Sequence, residues 1–226
     1  IDLKLKGDSS SKVSKSIGTG IELFTKIFSS DKPDLIIILG DRHEMLPPAI
    51  VSLIFNIPVA HISGGEITEG AIDNSIRHCL TKLSHFHFVS SDMHKKRVIQ
   101  MGEAPKNVFL VGSLGHDAIK NTKFLSKKEL EKELNFKFQK ENILVTFHPV
   151  TLEKNKSEFQ IKNLIRFLKT LKDMTIIITS SNFDNENKVI KKEFLKFSRK
   201  KKVYFFKSLG NTTYVSLMKL AYLVIG

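Results

Sequence analysis

The chain has 226 residues, 41% of them hydrophobic, a single cysteine, no tryptophan and a formal net charge of +13. That apolar share supports a packed core, and about 100 to 200 residues per domain leaves room for one large domain or two small ones. No apolar run approaches the roughly 18 to 20 residues that cross a bilayer, the start Ile1-Asp2-Leu3-Lys4 lacks signal-peptide order, and one thiol excludes an internal disulfide framework, so a globular cytoplasmic protein with no membrane partner is expected.

Taken in chain order, stretches of helical period alternate with short apolar, β-rich runs. A helix is predicted over Lys12–Phe28, then a strand over Asp34–Leu39, a helix over His43–Phe55 and a strand over Ile57–Ile62. The next helix, Asn74–Leu83, is followed by a strand at Phe86–Ser90, a helix at Met93–Met101 and a strand at Val108–Val111. The rhythm restarts with a helix at Lys127–Asn135 and continues through strand Ile143–Phe147, helix Glu158–Lys172, strand Thr175–Thr179, helix Glu186–Lys201, strand Val203–Phe206, helix Thr212–Leu220 and strand Leu223–Ile225. Continuous Val, Ile, Leu and Phe runs suit parallel strands covered by helices on both faces. The fold class expected is therefore α/β, with two Rossmann-like lobes of doubly wound parallel sheet. The charged, strand-free stretch Lys120–Glu141 marks the boundary, giving lobes at 1–120 and 142–226 with a linker over 121–141. Ligands bind beyond the carboxyl ends of strands in such sheets, so the strand-end loops of two lobes would face a shared cleft.

The positive charge fits either a nucleic acid or a small anion such as a nucleotide diphosphate. Its distribution favours the latter. Lysines over Lys123–Lys140 and Lys188–Lys202 mix with Glu129, Glu131, Glu133, Glu186 and Glu193 at helical spacing, as on solvated helix faces, while Phe124, Phe136, Phe138, Phe194 and Phe197 fall on core stripes. No nucleic-acid partner is expected. Cys79 reads as a small buried apolar group. His85 and His87 alternate along one strand without a carboxylate or thiol at ligand spacing, so no metal is expected. Gly18-Thr19-Gly20 lies within a helical pattern, which leaves dinucleotide binding unsupported.

Four strand ends carry more polar chemistry than a connection needs. Gly40-Asp41-Arg42-His43-Glu44 combines a turn glycine, a carboxylate that serves equally as helix cap or reactive group, and a fork-shaped donor for phosphate or carboxylate. The run from His61 through Ser63-Gly64-Gly65-Glu66 to Glu69 and Asp73 pairs two glycines suited to close approach by a ligand with carboxylates suited to acid or base work. Asp73 either caps the following helix or acts with Arg77, four residues on and on the same face. His148, in Thr146-Phe147-His148-Pro149, is placed to donate to a diphosphate or shuttle a proton. Thr179-Ser180-Ser181-Asn182 offers small donors, although a turn explains it equally well.

Gly40-Asp41-Arg42, His61 through Ser63-Gly64-Gly65-Glu66 to Ile72-Asp73-Asn74-Ser75-Ile76-Arg77-His78, Thr81-Lys82-Leu83-Ser84-His85 and Val145 to Thr151 resemble the sialic-acid branch of the hydrolysing UDP-N-acetylglucosamine 2-epimerases, including relatives acting on diacetamido sugars for legionaminic acid. The resemblance runs through essentially the whole chain. It implies a glycosyltransferase-B fold with UDP in the interdomain cleft, a nucleotide-sugar partner, a homo-oligomer and no redox cofactor. It also implies a mechanism: a base removes the proton at sugar C2, UDP departs to leave an acetamidoglucal, and water adds to release the 2-epimeric sugar. Asp41 and Asp73 match the family's acid/base positions, His148 a histidine near diphosphate and sugar, and Arg42 a phosphate contact. Several relatives carry glutamate where Ser63 stands, which makes Glu66 the nearest substitute. Ser63, Gly64, Gly65, Arg77, Ser180, Ser181 and Asn182 are the further substrate-binding candidates. Relatives also begin with an extra strand and continue past Gly226, so truncation at both ends is expected. A glycosyltransferase of the same architecture is the alternative activity, and a basic binding module is a third.

Overall fold

The computed structural model describes residues 9–148, 156–171, 173–180 and 187–226. The chain divides into two compact units, Ile1–Asp117 and Ala118–Gly226, each built on a four-stranded, wholly parallel sheet.

The first unit runs α1 (Ser10–Ser30), β1 (Ile36–Leu39), a 3₁₀ turn (His43–Met45), α2 (Leu46–Ile54), β2 (Val59–Ile62), α3 (Asp73–Lys82), β3 (Phe86–Val89), α4 (Asp92–Gln100), a second 3₁₀ turn (Pro105–Asn107) and β4 (Val108–Leu110). α5 (Leu114–Lys120) then crosses the division. The helix expected over His43–Phe55 splits in two. Pro47 and Pro48 have no N–H to return to the residues before them, so the chain ahead of α2 winds as a 3₁₀ turn and the prolines occupy its first turn, where a missing donor costs nothing.

Strand order β1-β2-β3-β4 is the sequence order. Right-handed crossovers then put the connecting helices on one face. Ile36 and Ile38 pack there against Ala49 of α2, Val59 of β2 and Leu80 of α3. Ile37 and Leu39, pointing the other way, are 65% and 53% exposed. The expectation that strands are covered on both faces is thus corrected for β1, because consecutive strand order leaves the described helices on a single side.

The second unit runs α6 (Lys127–Leu134), β5 (Glu141–Thr146), α7 (Ser157–Leu168), β6 (Met174–Thr179), α8 (Asn187–Phe197), β7 (Val203–Phe206), α9 (Gly210–Leu220) and β8 (Leu223–Ile225), with sheet order β7-β6-β5-β8. Here both faces are filled. Ile143, Val145, Ile176 and Ile178 pack against Ile161, Ile165 and Leu168 of α7 and Ile190, Phe194 and Phe197 of α8. Leu144 and Ile177 pack the opposite way against Leu130, Leu134, Phe136, Phe138 and Leu217. Residues from α6 onward are therefore packed structure of this unit. Their start is set by a capping box in which Ser126 and Glu129 satisfy each other's backbone N–H, and their end by Asn135 in the left-handed region at φ 55°.

Cys79 is exposed, a correction to its expected burial: the buried side of α3 is taken by Arg77, Leu80 and Thr81. Among the described residues, no helix is long and apolar enough to cross a membrane.

Candidate active site

Parallel strands bring their carboxyl ends to one edge of a sheet, so the loops leaving β1, β2 and β3 gather at the same edge of the first unit. Asp41 leaves β1 there. Its carboxylate forms an ion pair with Arg77 of α3, whose guanidinium is almost fully buried and whose Nη1 also donates to Thr68 Oγ1 at 3.0 Å. The cap explanation for Asp41 fails: Arg42 occupies the N-cap position of the 3₁₀ turn, with no side-chain cap bond. Asp73 likewise is not a cap. It is the first residue of α3, behind Ile72, where the helix dipole favours a negative charge. Arg77 is engaged by Asp41 and Thr68 and not by the carboxylate four residues before it.

Arg42 forks onto Glu44, with Nη2 2.9 Å from Oε1 and Nε 3.1 Å from Oε2. Burial pushes the Glu44 carboxyl up, but the Arg42 hydrogen bonds, aided by the backbone and by His43, outweigh it and hold the group below its ordinary value.

The glycine loop packs inward. A Cβ on Gly64 would stand 3.0 Å from His61 Nδ1 and 3.1 Å from Thr81 Oγ1, and one on Gly65, at φ +76°, would meet the His94 carbonyl at 2.6 Å. On the side where a Cβ would project, these glycines pack against the protein's own side chains and against α4. Ser63, at φ 65°, makes the turn into them. Glu66 accepts the Ser90 hydroxyl at 2.9 Å, Ser90 Oγ lies 2.9 Å from His94 Nδ1, and Arg97 Nη1 donates to the Gly65 carbonyl. His94 and Arg97 were missed in sequence. The signal was there in Ser90-Ser91-Asp92, a third polar strand end in this unit, with Ser91 capping α4 through the His94 N–H.

His61 is fully buried on β2. Its Nε2 lies 2.7 Å from the Gly40 carbonyl and its Nδ1 3.3 Å from Thr81 Oγ1. Burial lowers its pKa to about 4, the Gly40 bond opposing and the charges of His87 and Arg77 reinforcing the shift. His85 and His87, just ahead of β3 and within it, are hydrogen-bonded inside the unit. His85 Nδ1 accepts the Val59 N–H, and His87 Nε2 lies 3.2 Å from Glu103.

In the second unit, Thr146 closes β5 with Oγ1 2.6 Å from Thr179 Oγ1 of β6 and 3.1 Å from the Tyr214 hydroxyl. His148 follows two residues later and is exposed. Ser180 continues β6, its N–H bonded to the Phe206 carbonyl at 3.0 Å. Ser181 and Asn182 lie outside the described residues, as do the expected helix ends Lys172 and Glu186.

The whole chain, residues 1–226, matches the family described as UDP-N-acetylglucosamine 2-epimerase. The chain belongs to that family. It is 44% identical over 228 residues to the GDP/UDP-N,N'-diacetylbacillosamine 2-epimerase (hydrolyzing) of Campylobacter jejuni, and 31% identical over 226 residues to the UDP-N,N'-diacetylbacillosamine 2-epimerase (hydrolyzing) of Legionella pneumophila. Each match takes in 100% of this chain and 59% of the other, so the chain spans about three fifths of the length of these epimerases. Among solved structures, the Neisseria meningitidis UDP-GlcNAc 2-epimerase bound to UDP-GlcNAc matches with a TM-score of 0.77 at 20% identity, over 97% of this chain and 60% of that one. The Methanocaldococcus jannaschii epimerase in complex with UDP-GlcNAc and UDP gives 0.76 at 20% identity, over 94% and 60%. At that identity the likeness is one of fold, and it agrees with the α/β class of the epimerases.

Proposed function

We propose that this chain carries the chemistry of a hydrolysing nucleotide-sugar 2-epimerase, converting a UDP-linked acetamido sugar and water to UDP and the free 2-epimeric sugar. A 2,4-diacetamido sugar is the preferred substrate class, because the relatives at 44% and 31% identity carry diacetylbacillosamine in their names. UDP-N-acetylglucosamine is the simpler alternative. The product class feeds sialic- or legionaminic-type acid synthesis. A cytoplasmic location, where nucleotide sugars occur, and a homo-oligomer belong to the same proposal.

The observation that carries this proposal is the Asp41–Arg77 pair at the strand-end edge, since it holds a carboxylate in a fixed orientation with a buried guanidinium behind it. A base positioned this way can take the C2 proton as the bond from C1 to the UDP oxygen breaks, leaving a C1–C2 double bond and UDP carrying the electron pair. Water then adds its oxygen to C1 while an acid returns a proton to the other face of C2. Asp41 and Asp73 are assigned these two proton transfers. Glu66, held by Ser90, is the third carboxylate in place of the family glutamate at Ser63. Arg42 and His148 are assigned to the diphosphate, with Ser180, Ser181 and Asn182 as further donors, and Ser63, Gly64, Gly65 and Arg77 shape the sugar side.

The test is to incubate the full-length protein in D2O with UDP-diacetylbacillosamine, its GDP counterpart and UDP-N-acetylglucosamine, and to identify the sugar released. Inverted configuration at C2 with deuterium incorporated there supports the proposal. A released sugar with retained configuration and no deuterium overturns it, and transfer only to an added acceptor indicates a glycosyltransferase.

A further inference from the structure

We infer that His61 is the positioning residue of this site, a buried imidazole strut that sets Asp41 against Arg77. The inference rests on the proposed roles of those two residues. It starts from a planar peptide. The Gly40 carbonyl and the Asp41 N–H belong to one rigid unit, so whatever fixes the carbonyl fixes the direction in which Asp41 leaves the strand. His61 Nε2 lies 2.7 Å from that carbonyl, which can only accept, so Nε2 carries the proton and donates it. Gly40, at φ +77°, is tied on its other side by its N–H to the Ile62 carbonyl at 3.0 Å.

The opposite end of the ring reaches α3. With the proton on Nε2, the neutral ring presents Nδ1 as an acceptor 3.3 Å from the Thr81 hydroxyl. That hydroxyl has a single proton to share between Nδ1 and the Arg77 carbonyl, 3.0 Å away and one turn back along the helix, so it serves one of them at a time. When that proton goes to Nδ1, one imidazole ties the peptide that launches Asp41 to Thr81 of α3, the helix that also carries Arg77 one turn earlier. The ring is 0% exposed and burial keeps it uncharged at neutral pH, so it holds this tautomer without adding a positive charge beside the guanidinium. Gly64 belongs to the same device. A Cβ at that position would press on Nδ1 and on Thr81 Oγ1, at 3.0 and 3.1 Å, displacing the contact.

The test replaces His61 by Phe, which fills similar space without hydrogen bonds, and by Gln, whose amide can again donate to the Gly40 carbonyl. A misplacement on the order of 1 Å costs about 10²-fold in rate. In the full-length protein, His61→Phe should therefore lower kcat about 10²-fold with UDP affinity within about twofold of wild type, and Gln should recover part of the loss. A second measurement needs no turnover: hydrogen exchange of the Arg77 guanidinium protons by NMR should quicken in His61→Phe and be slowed again in Gln. Unchanged exchange in a folded His61→Phe protein overturns the inference whatever the activity, as does wild-type kcat with only a lowered melting temperature. Quickened exchange in a protein that epimerises no nucleotide sugar upholds the strut while removing the proposed reaction.

Discussion

Arg77 and Asp41 lie 36 residues apart in the chain and meet as an ion pair at the carboxyl edge of the first sheet, the guanidinium buried and the carboxylate partly open to solvent. Asp41→Asn keeps shape and a hydrogen-bond acceptor but removes the charge. General acid–base catalysis contributes about 10²- to 10⁴-fold, so turnover should fall by that factor with UDP affinity nearly unchanged. Stability should fall too, because Arg77 loses its counter-charge in a buried position. Near-normal turnover would remove Asp41 from the mechanism.

Asp73 makes no cap, so its loss should cost rate more than stability. Asp73→Asn is expected to lower turnover by about 10²- to 10⁴-fold with an unfolding midpoint close to wild type. Glu69, exposed on the same loop, serves as the control, and Glu69→Gln should leave both unchanged. Glu66→Gln tests the third carboxylate. If it follows Asp73→Asn in rate, Glu66 acts in the reaction; if urea stability falls while rate holds, its bond from Ser90 is structural.

The two glycines should respond differently to alanine. Gly65→Ala combines a left-handed φ with a Cβ 2.6 Å from the His94 backbone carbonyl, which cannot swing away, so a loss of about 1 to 3 kcal/mol is expected in urea unfolding. Gly64→Ala meets only side-chain atoms at 3.0 Å and beyond and should cost less stability, yet it presses on His61 and should lower kcat. Equal stability losses would contradict the inward packing of the loop.

Acid sensitivity follows from His61. Its folded pKa of about 4 lies below the ordinary 6.5, so between those values the unfolded chain binds a proton that the folded chain refuses. Stability is full above pH 6.5 and declines as pH falls toward 4, by about 3 kcal/mol for this group. His87 and His78, both lowered chiefly by burial, act in the same direction. Denaturant midpoints measured from pH 7 to pH 4 should therefore slope less steeply in His61→Phe than in wild type, and parallel slopes would refute this assignment.

The alternation of strands and helices was legible in the sequence because it rests on local rules. Apolar runs such as Leu35–Leu39 and Thr175–Thr179 and the helical stripe carrying Phe194 and Phe197 need only their own periodicity to be recognised, and every strand read from them is present. The loops Gly40–Glu44 and Ser63–Asp73 stood out for the same reason, as polar residues where a plain connection would suffice. What the sequence left open was who meets whom. Spacing along one helix face suggested Asp73 beside Arg77, whereas the parallel register of β1 on β2 delivers Asp41 to that guanidinium and Gly40 to His61. The glycines' true neighbours, the partners of Glu66 and the exposure of Cys79 likewise depend on how α3 and α4 pack on the sheet. Local chemistry selects the elements, but contacts between residues distant in the chain exist only once the strands have aligned, and that alignment decided the site.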